Sequence, residues 1–378
     1  MKLNKKYIAL NNLIILQRGF DLPEIERVIG NIPVVASTGI IGSHNIAKVK
    51  GPGVVIGRSG SIGGGQYVAG DFWPLNTTLW VKDFKEHNPR FIYYVLKNID
   101  FSRFNFGTGV PTLNRNHIAN IKVLAFDKSQ EEKIADILSK YDDLIENNRR
   151  RIELLERSAR LLYKEWFVRL RFPGHEHTPI IDGIPEGWEN TKITNLCYVI
   201  DGTHDSPKPV HEGYYLVTGR HITDGFIDFS KCYVITDEDH QKVMQRSRPE
   251  TGDIIFSNIG TLGSTVLVDN EFEFSIKNVA LFKPFDKNYS SFMFLYFSDP
   301  ATLRKMEIQS SGTSQKFFSL KFLRGLHILT PNKTLLRLFN DVVEPALKQR
   351  SLLHKYNQKL KQARDILLPK LMNGEIEV

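Results

Sequence analysis

The stretch Ser129–Phe172 reads SQEEKIADILSKYDDLIENNRRRIELLERSARLLYKEWFVRLRF. Stepping through it by alternating fours and threes gives Ile134, Leu138, Tyr141, Ile145, Asn148, Ile152, Leu155, Ala159, Leu162 and Trp166. All but Asn148 are apolar or small, and the average step of about 3.5 residues is that of a coiled-coil seam. Ser129 with Glu132 predicts a capping box at the start, and Pro173-Gly174 predicts the stop. At 1.5 Å per residue such a helix would be roughly 60 Å long. A narrow-seamed helix in mid-chain needs a partner helix. The comparable candidate is the C-terminal tail, where Phe339, Val342, Ala346, Gln349, Leu353, Tyr356, Leu360, Ala363 and Leu367 keep the same rhythm. Pro345 is expected to kink this second helix or split its first turn from the rest, and Pro369 to end or bend it.

The two segments that precede these helices repeat one another. Leu10-Asn11-Asn12-Leu13 recurs as Ile193-Thr194-Asn195-Leu196, and GVVIGRSGSIG (Gly53–Gly63) recurs as GDIIFSNIGTLG (Gly252–Gly263). Asn76–Trp80 recurs as Asn278–Phe282, a helix opening at Phe91 recurs at Phe292, and Ile121–Phe126 recurs as Leu326–Pro331. The blocks match in order. Short apolar runs at Leu13–Leu16, Val54–Gly57, Leu79–Val81 and Ile121–Phe126, with a helix over Pro89–Ile99, give each segment a mixed strand-and-helix character. The expected architecture is α+β: two similar α/β globules and two long helices pairing as an antiparallel coiled coil, related by a pseudo-twofold axis. The expected boundaries are a first globule over 1–128, a central helix over 129–172, a second globule over 173–329 and a C-terminal helix over 330–378.

Composition narrows the function. No apolar run reaches membrane length, and the first residues lack a signal-peptide core. The two cysteines, Cys197 and Cys232, form no CxxC, so a cytoplasmic protein is the natural reading. The net charge of +8 is uneven. Residues 1–128 carry 16 basic and 8 acidic side chains, whereas 172–329 carry 15 and 20. The first globule suits a polyanion; the second must rely on local patches.

Catalytic tools are missing from the sequence. There is no Walker A motif, no GxGxxG before a helix, no GxSxG, no HExxH and no Asn/Asp-Pro-Pro-aromatic tetrapeptide of the kind amino-methyltransferases carry. Gly174-His175-Glu176-His177 offers two histidines without further ligands nearby, and a solvated loop is expected there. The chain is read as a binder.

Taken in order on a duplicated frame, six stretches resemble the specificity (S) subunit of type I restriction-modification systems. They are LQRGF (Leu16–Phe20), GPGVVIGRSGSIG (Gly51–Gly63), KEWFVRLRFPG (Lys164–Gly174), GIPEGW (Gly183–Trp188), DGTHDSP (Asp201–Pro207) and LLPKLMNGEI (Leu367–Ile376). The resemblance implies that each globule is a target recognition domain reading one half of a split double-stranded DNA sequence. It implies that the helices set the spacer and dock two methyltransferase subunits, which use S-adenosylmethionine. A restriction subunit using ATP and Mg²⁺ can join, and the chain itself would bind no cofactor. A coiled-coil scaffold with two protein-binding globules is the alternative, and a self-contained methyltransferase is disfavoured.

DNA readers need paired donors and acceptors for base edges, and cations or hydroxyls for phosphates. In the first globule these criteria select Arg58, Ser59 and Ser61 of the glycine-rich loop, then Arg103, Thr108, Asn114, Arg115 and Asn116. In the second they select Thr203, His204 and Lys208; Arg220 and His221; Ser257, Asn258 and Thr261; and Thr313, Gln315 and Lys316 in a locally cationic run. Asn148 on the first seam is expected to specify helix register through a buried hydrogen bond.

Overall fold

A computed structural model describes residues 6–310 and 317–378. The chain divides into two compact units, residues 1–148 with 355–378 and residues 149–354. The boundary falls within the two long helices, Lys128–Tyr163 and Lys333–Met372, so each unit contains a globule and a stretch of both helices.

The strands of the first unit are β1 (Tyr7–Ala9), β2 (Ile15–Arg18), β3 (Ile32–Ala36), β4 (Gly39–His44), β5 (Gly53–Gly57), β6 (Gly63–Val68), β7 (Trp73–Pro74), β8 (Thr78–Asp83) and β9 (Lys122–Leu124). They form a four-stranded sheet in the order β2-β8-β5-β6, a three-stranded sheet β4-β3-β7 and the pair β1-β9. In β5, GVVIG is buried throughout, as a strand covered on both faces should be. The predicted helix forms over Pro89–Asn98, with Asn88 as N-cap accepting from the backbone N–H groups of Arg90 and Phe91.

The second unit repeats this plan. After β10 (Ile180–Ile181) and β11 (Ile184–Pro185) come β12 (Glu189–Lys192), β13 (Cys197–Asp201), β14 (Tyr214–Val217), β15 (Ile222–Thr223), β16 (Phe226–Ile227), β17 (Tyr233–Ile235), β18 (Ile254–Phe256), β19 (Thr265–Leu267), β20 (Ser275–Ile276), β21 (Ala280–Pro284) and β22 (His327–Thr330). The four-stranded sheet is β13-β21-β18-β19, the three-stranded one β17-β14-β20 and the pair β12-β22. Each of these three sheets has its counterpart in the first unit, including the parallel pairing of β3 with β7 and of β14 with β20; the pairs β10-β11 and β15-β16 are additions of the second unit. The duplication inferred from the aligned blocks is therefore a duplication of topology.

Within each unit the two helix segments run antiparallel and enter the globule's own core. In the first unit Ile134, Ala135 and Leu138 of the central helix join Leu368, Leu371 and Met372 of the C-terminal helix around Phe91, Ile92 and Leu96. In the second, Ala159, Tyr163 and Phe167 join Phe339, Val343 and Leu347 around Phe292. The helices are thus part of the globular cores, and the apolar stripe widens beyond a coiled-coil seam where it meets them.

The central seam is the predicted one, whereas the C-terminal helix keeps Phe339 and Leu353 of its predicted seam and departs from it at four other positions. Val342 and Tyr356 are exposed, as are Gln349 and Ala363, whereas the next residues, Val343, Arg350, Asn357 and Arg364, turn inward. An apolar-only search missed this because three of the inward residues are polar and find partners. Asn148 Nδ2 donates to Asn357 Oδ1 at 2.9 Å, and Asn357 Nδ2 donates to the Ile145 carbonyl at 3.1 Å, both in the first unit. There too, Arg364 pairs with Asp142, which accepts from Tyr94 Oη at 2.7 Å. In the second unit Arg350, only 5% exposed, pairs with Glu156, donates to the Asp224 carbonyl at 2.9 Å and lies 3.7 Å over the Phe226 ring. Asn148 makes the seam hydrogen bond expected of it.

Three further expectations are corrected. The capping box is Asp127 with Gln130: the Gln130 N–H donates to Asp127 Oδ1 at 2.9 Å and the Asp127 N–H to Gln130 Oε1 at 3.2 Å. Asp competes well with Ser as an N-cap, so the helix starts earlier than Ser129. At the other end the α-helix gives way to a wider turn over Lys164–Val168, and Leu170 takes φ +57°, so the helix stops before Pro173. The C-terminal helix continues through Pro345, which therefore does not split off its first turn, and ends at Met372, just past Pro369.

A buried ion pair that loses one member leaves an uncompensated charge. Arg350→Ala is expected to destabilise the second unit by about 3–5 kcal/mol, read by urea denaturation. The double variant Arg350→Met/Glu156→Leu should recover most of that loss.

Candidate functional site

The candidate residues gather where strand ends meet. In the first four-stranded sheet, β2 and β5 end and β8 and β6 begin on the same side. Arg18 pairs with Leu79, and Gly57 with both Thr78 and Gly63. The loop after β5 is fixed by backbone bonds: the N–H groups of Arg58 and Ser59 donate to the Thr77 carbonyl at 2.8 and 3.1 Å. Gly60 N–H donates to the Pro111 carbonyl and Leu113 N–H to that of Arg58, at 3.0 and 2.8 Å, which joins loop 58–61 to segment 105–113. Gly60 sits at φ +82° with its open side toward solvent, so the turn demands glycine for its backbone and not for space.

Of the predicted residues in this unit, Ser61, Arg103, Thr108, Asn114, Arg115 and Asn116 are exposed, and Arg58 and Ser59 half-buried. Asn114 caps the short helix Arg115–Ile118 through the Asn116 N–H at 3.0 Å. Arg103 pairs with Asp100 at 3.0 Å on the surface, a contact weak enough to exchange for another anion. Three residues that sequence reasoning did not select join them. Arg18, at the end of β2, lies close enough to Arg58 that burial and this second cation hold the Arg58 guanidinium below its ordinary pKa. Arg58 Nη1 donates to the Asn76 carbonyl at 3.2 Å, and Asn76 Nδ2 donates to Asp21. Two neighbouring arginines make a ready anion site.

The second unit builds the same corner. β13 ends at Asp201, and His204 sits where Asp21 does: its Nδ1 meets Asn278 Oδ1 at 2.9 Å, as Asp21 meets Asn76. His204 Nε2 is 2.7 Å from Asp201 Oδ2, and Arg246 Nε donates to Asp201 Oδ1 at 3.1 Å. Lys277 Nζ donates to Ser206 Oγ at 2.6 Å. Asn278 takes φ +53° and Gly260 φ +77°. His204, Lys208, Arg220 and Thr261 are exposed.

Four predicted readers of this unit lie inside instead. Thr203 is buried and its Oγ1 accepts from the Asp205 N–H at 3.1 Å. His221 is 2% exposed; its Nδ1 accepts from the Thr218 N–H at 3.1 Å, and burial followed by the Arg220 charge keeps its pKa below the ordinary imidazole value. Ser257 donates to the Ile259 carbonyl at 3.3 Å, and Asn258 Nδ2 to that of Phe318 at 2.9 Å. Each satisfies a turn that positions the exposed side chains, which is the common use of such residues at strand ends. Thr313, Gln315 and Lys316 lie outside the described residues.

Asn76, Asn278 and Asp201 were within reach of the sequence. Asn76 and Asn278 open the same repeated block, and Asp201 opens the stretch DGTHDSP. Among the described residues no group of three or more His, Cys, Asp or Glu side chains could hold a metal ion, and no helix is long and apolar enough to cross a membrane.

The model of the type I restriction modification DNA specificity domain matches the chain twice, over residues 12–157 and 185–335. The MjaIX type I restriction enzyme specificity subunit of Methanocaldococcus jannaschii is 25% identical over 309 residues, which cover 76% of this chain and 69% of that one. The HindI specificity subunit of Haemophilus influenzae is 20% identical over 335 residues, 70% of this chain and 71% of its own. The crystal structure of the type I S subunit from M. genitalium has the same fold, with a TM-score of 0.66 at 17% identity over 98% of this chain and 96% of that one.

The Asp201 carboxyl offers a local test. Burial pushes its pKa up, but the hydrogen bonds from Arg246 and His204 outweigh this and hold it below the ordinary value of 3.8. Its contribution to stability is complete above that value and is lost as pH falls through the lower folded one. In Arg246→Ala the burial remains and a cation goes. The carboxyl titration, followed by NMR, should move upward; an unchanged midpoint would mean that the pair is not formed.

Proposed function

Because this chain belongs to the type I restriction modification DNA specificity family, we propose that each of its two units reads one half of a divided DNA target through the loop cluster at the end of its four-stranded sheet. The chain is the DNA-recognition subunit of a type I restriction-modification complex, and its part there is recognition without catalysis. The observation that carries the two-reader proposal is the repeated corner. One backbone framework is used twice, and the residues it presents differ: Arg18, Arg58, Ser59 and Ser61 in one unit, His204, Arg220, Ile259 and Thr261 in the other. A protein reading two copies of one signal would need the same side chains in both places. Different side chains on one frame suit two different half-sites.

The partners follow as part of the same proposal. Two methyltransferase subunits would dock on the long helices and flip an adenine out of the stack for methylation with S-adenosylmethionine. A restriction subunit using ATP and Mg²⁺ could add to them, in the cytoplasm where the DNA is. The central helix has 36 residues and the C-terminal helix 40, roughly 54 and 60 Å of rise, enough to act as a ruler on the scale of one to two turns of duplex.

Sequencing the methylated adenines in cells that carry this chain with its methyltransferase tests the proposal. A split motif with an unread spacer is expected; a continuous motif would overturn it. A heptad inserted between Arg157 and Ser158, with its match in the C-terminal helix, adds ~10 Å of rise and should lengthen the spacer by about three base pairs. Arg58→Ala should weaken binding evenly across sequences and lower the slope of log affinity against log salt by about one.

A further inference from the structure

The two corners differ most sharply at one structurally equivalent spot. In the first unit Ser59 bridges Thr112 in an isolated antiparallel contact, and in the second Ile259 bridges Phe317 in the same way. The surrounding backbone bonds correspond as well. Leu113 N–H donates to the Arg58 carbonyl at 2.8 Å, and Phe318 N–H to that of Asn258 at 2.9 Å. The glycines that follow, Gly60 and Gly260, share the left-handed conformation, at φ +82° and +77°. The frame thus holds two hydroxyl side chains in one reader and two large apolar side chains in the other. Ile259 is 42% exposed and Phe317 37%. Neither is committed to a core, and they stand next to each other beside Thr261, among the polar side chains of the proposed interface.

A scattered apolar side chain on a surface needs no explanation. A bridged pair within the surface proposed to meet DNA does, because covering it with phosphates or with polar base edges would strand their hydrogen-bonding groups. The floor of the major groove carries one apolar group, the thymine C5-methyl. The unit that holds the pair is also the one whose segment 172–329 has an acidic excess, so it gains least from phosphate contacts and most from contacts with bases. Resting on the two-reader proposal above, we infer that Ile259 and Phe317 form an apolar contact for the C5-methyl of a thymine in the half-site read by the second unit. The equivalent Ser59 and Thr112 of the first unit face a position recognised by hydrogen bonding.

The first arm of the test changes the DNA and leaves the protein intact. Once the methylated motif is known, the full chain with its methyltransferase subunits is titrated against duplexes in which each thymine of either half-site is replaced, one at a time, by deoxyuridine. Loss of a buried methyl contact should weaken binding about three- to fivefold at one thymine of the half-site assigned to the second unit. The Ile259→Ser/Phe317→Thr variant, a change of surface side chains, should bind the thymine and deoxyuridine duplexes equally and keep the salt dependence of the parent chain. If every single replacement in that half-site leaves affinity unchanged, or if the variant still prefers thymine at the same position, the inference fails. If the chain recognises no split motif at all, it is the two-reader proposal that fails instead.

Discussion

Each unit depends on its own half of the helix pair being buried in the globule's core. Phe167, Phe292 and Phe339 in the second unit, and Ile134, Leu138 and Leu371 in the first, unite helix and globule in a single apolar mass. Such helices draw most of their stability from this packing and not from helix propensity. The polar pairs along it then fix how the segments meet: Asn148 with Asn357, Asp142 with Arg364, Glu156 with Arg350. Apolar contacts tolerate sliding; a buried arginine with its carboxylate does not, since any slip leaves both unpaired.

Much of this was legible in the sequence, and the failures have a common cause. The duplication and the central seam were visible because they are written in apolar periodicity and in glycine spacing. The C-terminal seam was read one residue out at Val342, Gln349, Tyr356 and Ala363, because its inward face is marked by Arg350, Asn357 and Arg364, which look like solvent residues until their partners are known. The candidate site failed in the reverse sense. Thr203, His221, Ser257 and Asn258 have the chemistry of DNA readers but are spent on turns, and nothing local in a sequence separates a hydroxyl facing outward from one capping a strand end. Arg18 was hidden for another reason: its proximity to Arg58 is a property of sheet order, β2 beside β8 beside β5, which no single stretch reveals.

What the repeat preserves and what it varies would let one fold serve the two half-sites of the two-reader proposal. Preserved are the strand order, the left-handed glycines and the asparagine opposite Asp21 or His204. Varied are the exposed side chains that this frame carries. The first corner is cationic and hydroxylic, with Arg18, Arg58, Ser59 and Ser61; the second is apolar and networked, with Ile259, Phe317 and the His204–Asp201–Arg246 cluster. On the two-reader proposal the uneven charge of the chain would divide the labour: the first unit would supply most of the attraction to the duplex, and the second would add discrimination with little non-specific pull.

Photocrosslinking from the two glycine-rich loops tests the two-reader arrangement most directly. Ser61 and Thr261 are both exposed and occupy corresponding positions on the repeated frame. With a photoreactive residue placed at one or the other, in the complex with methyltransferase and target duplex, Ser61 is expected to crosslink within one half-site and Thr261 within the other. Crosslinks from both positions to the same half-site, or from neither to DNA, would contradict the assignment of one reader to each unit.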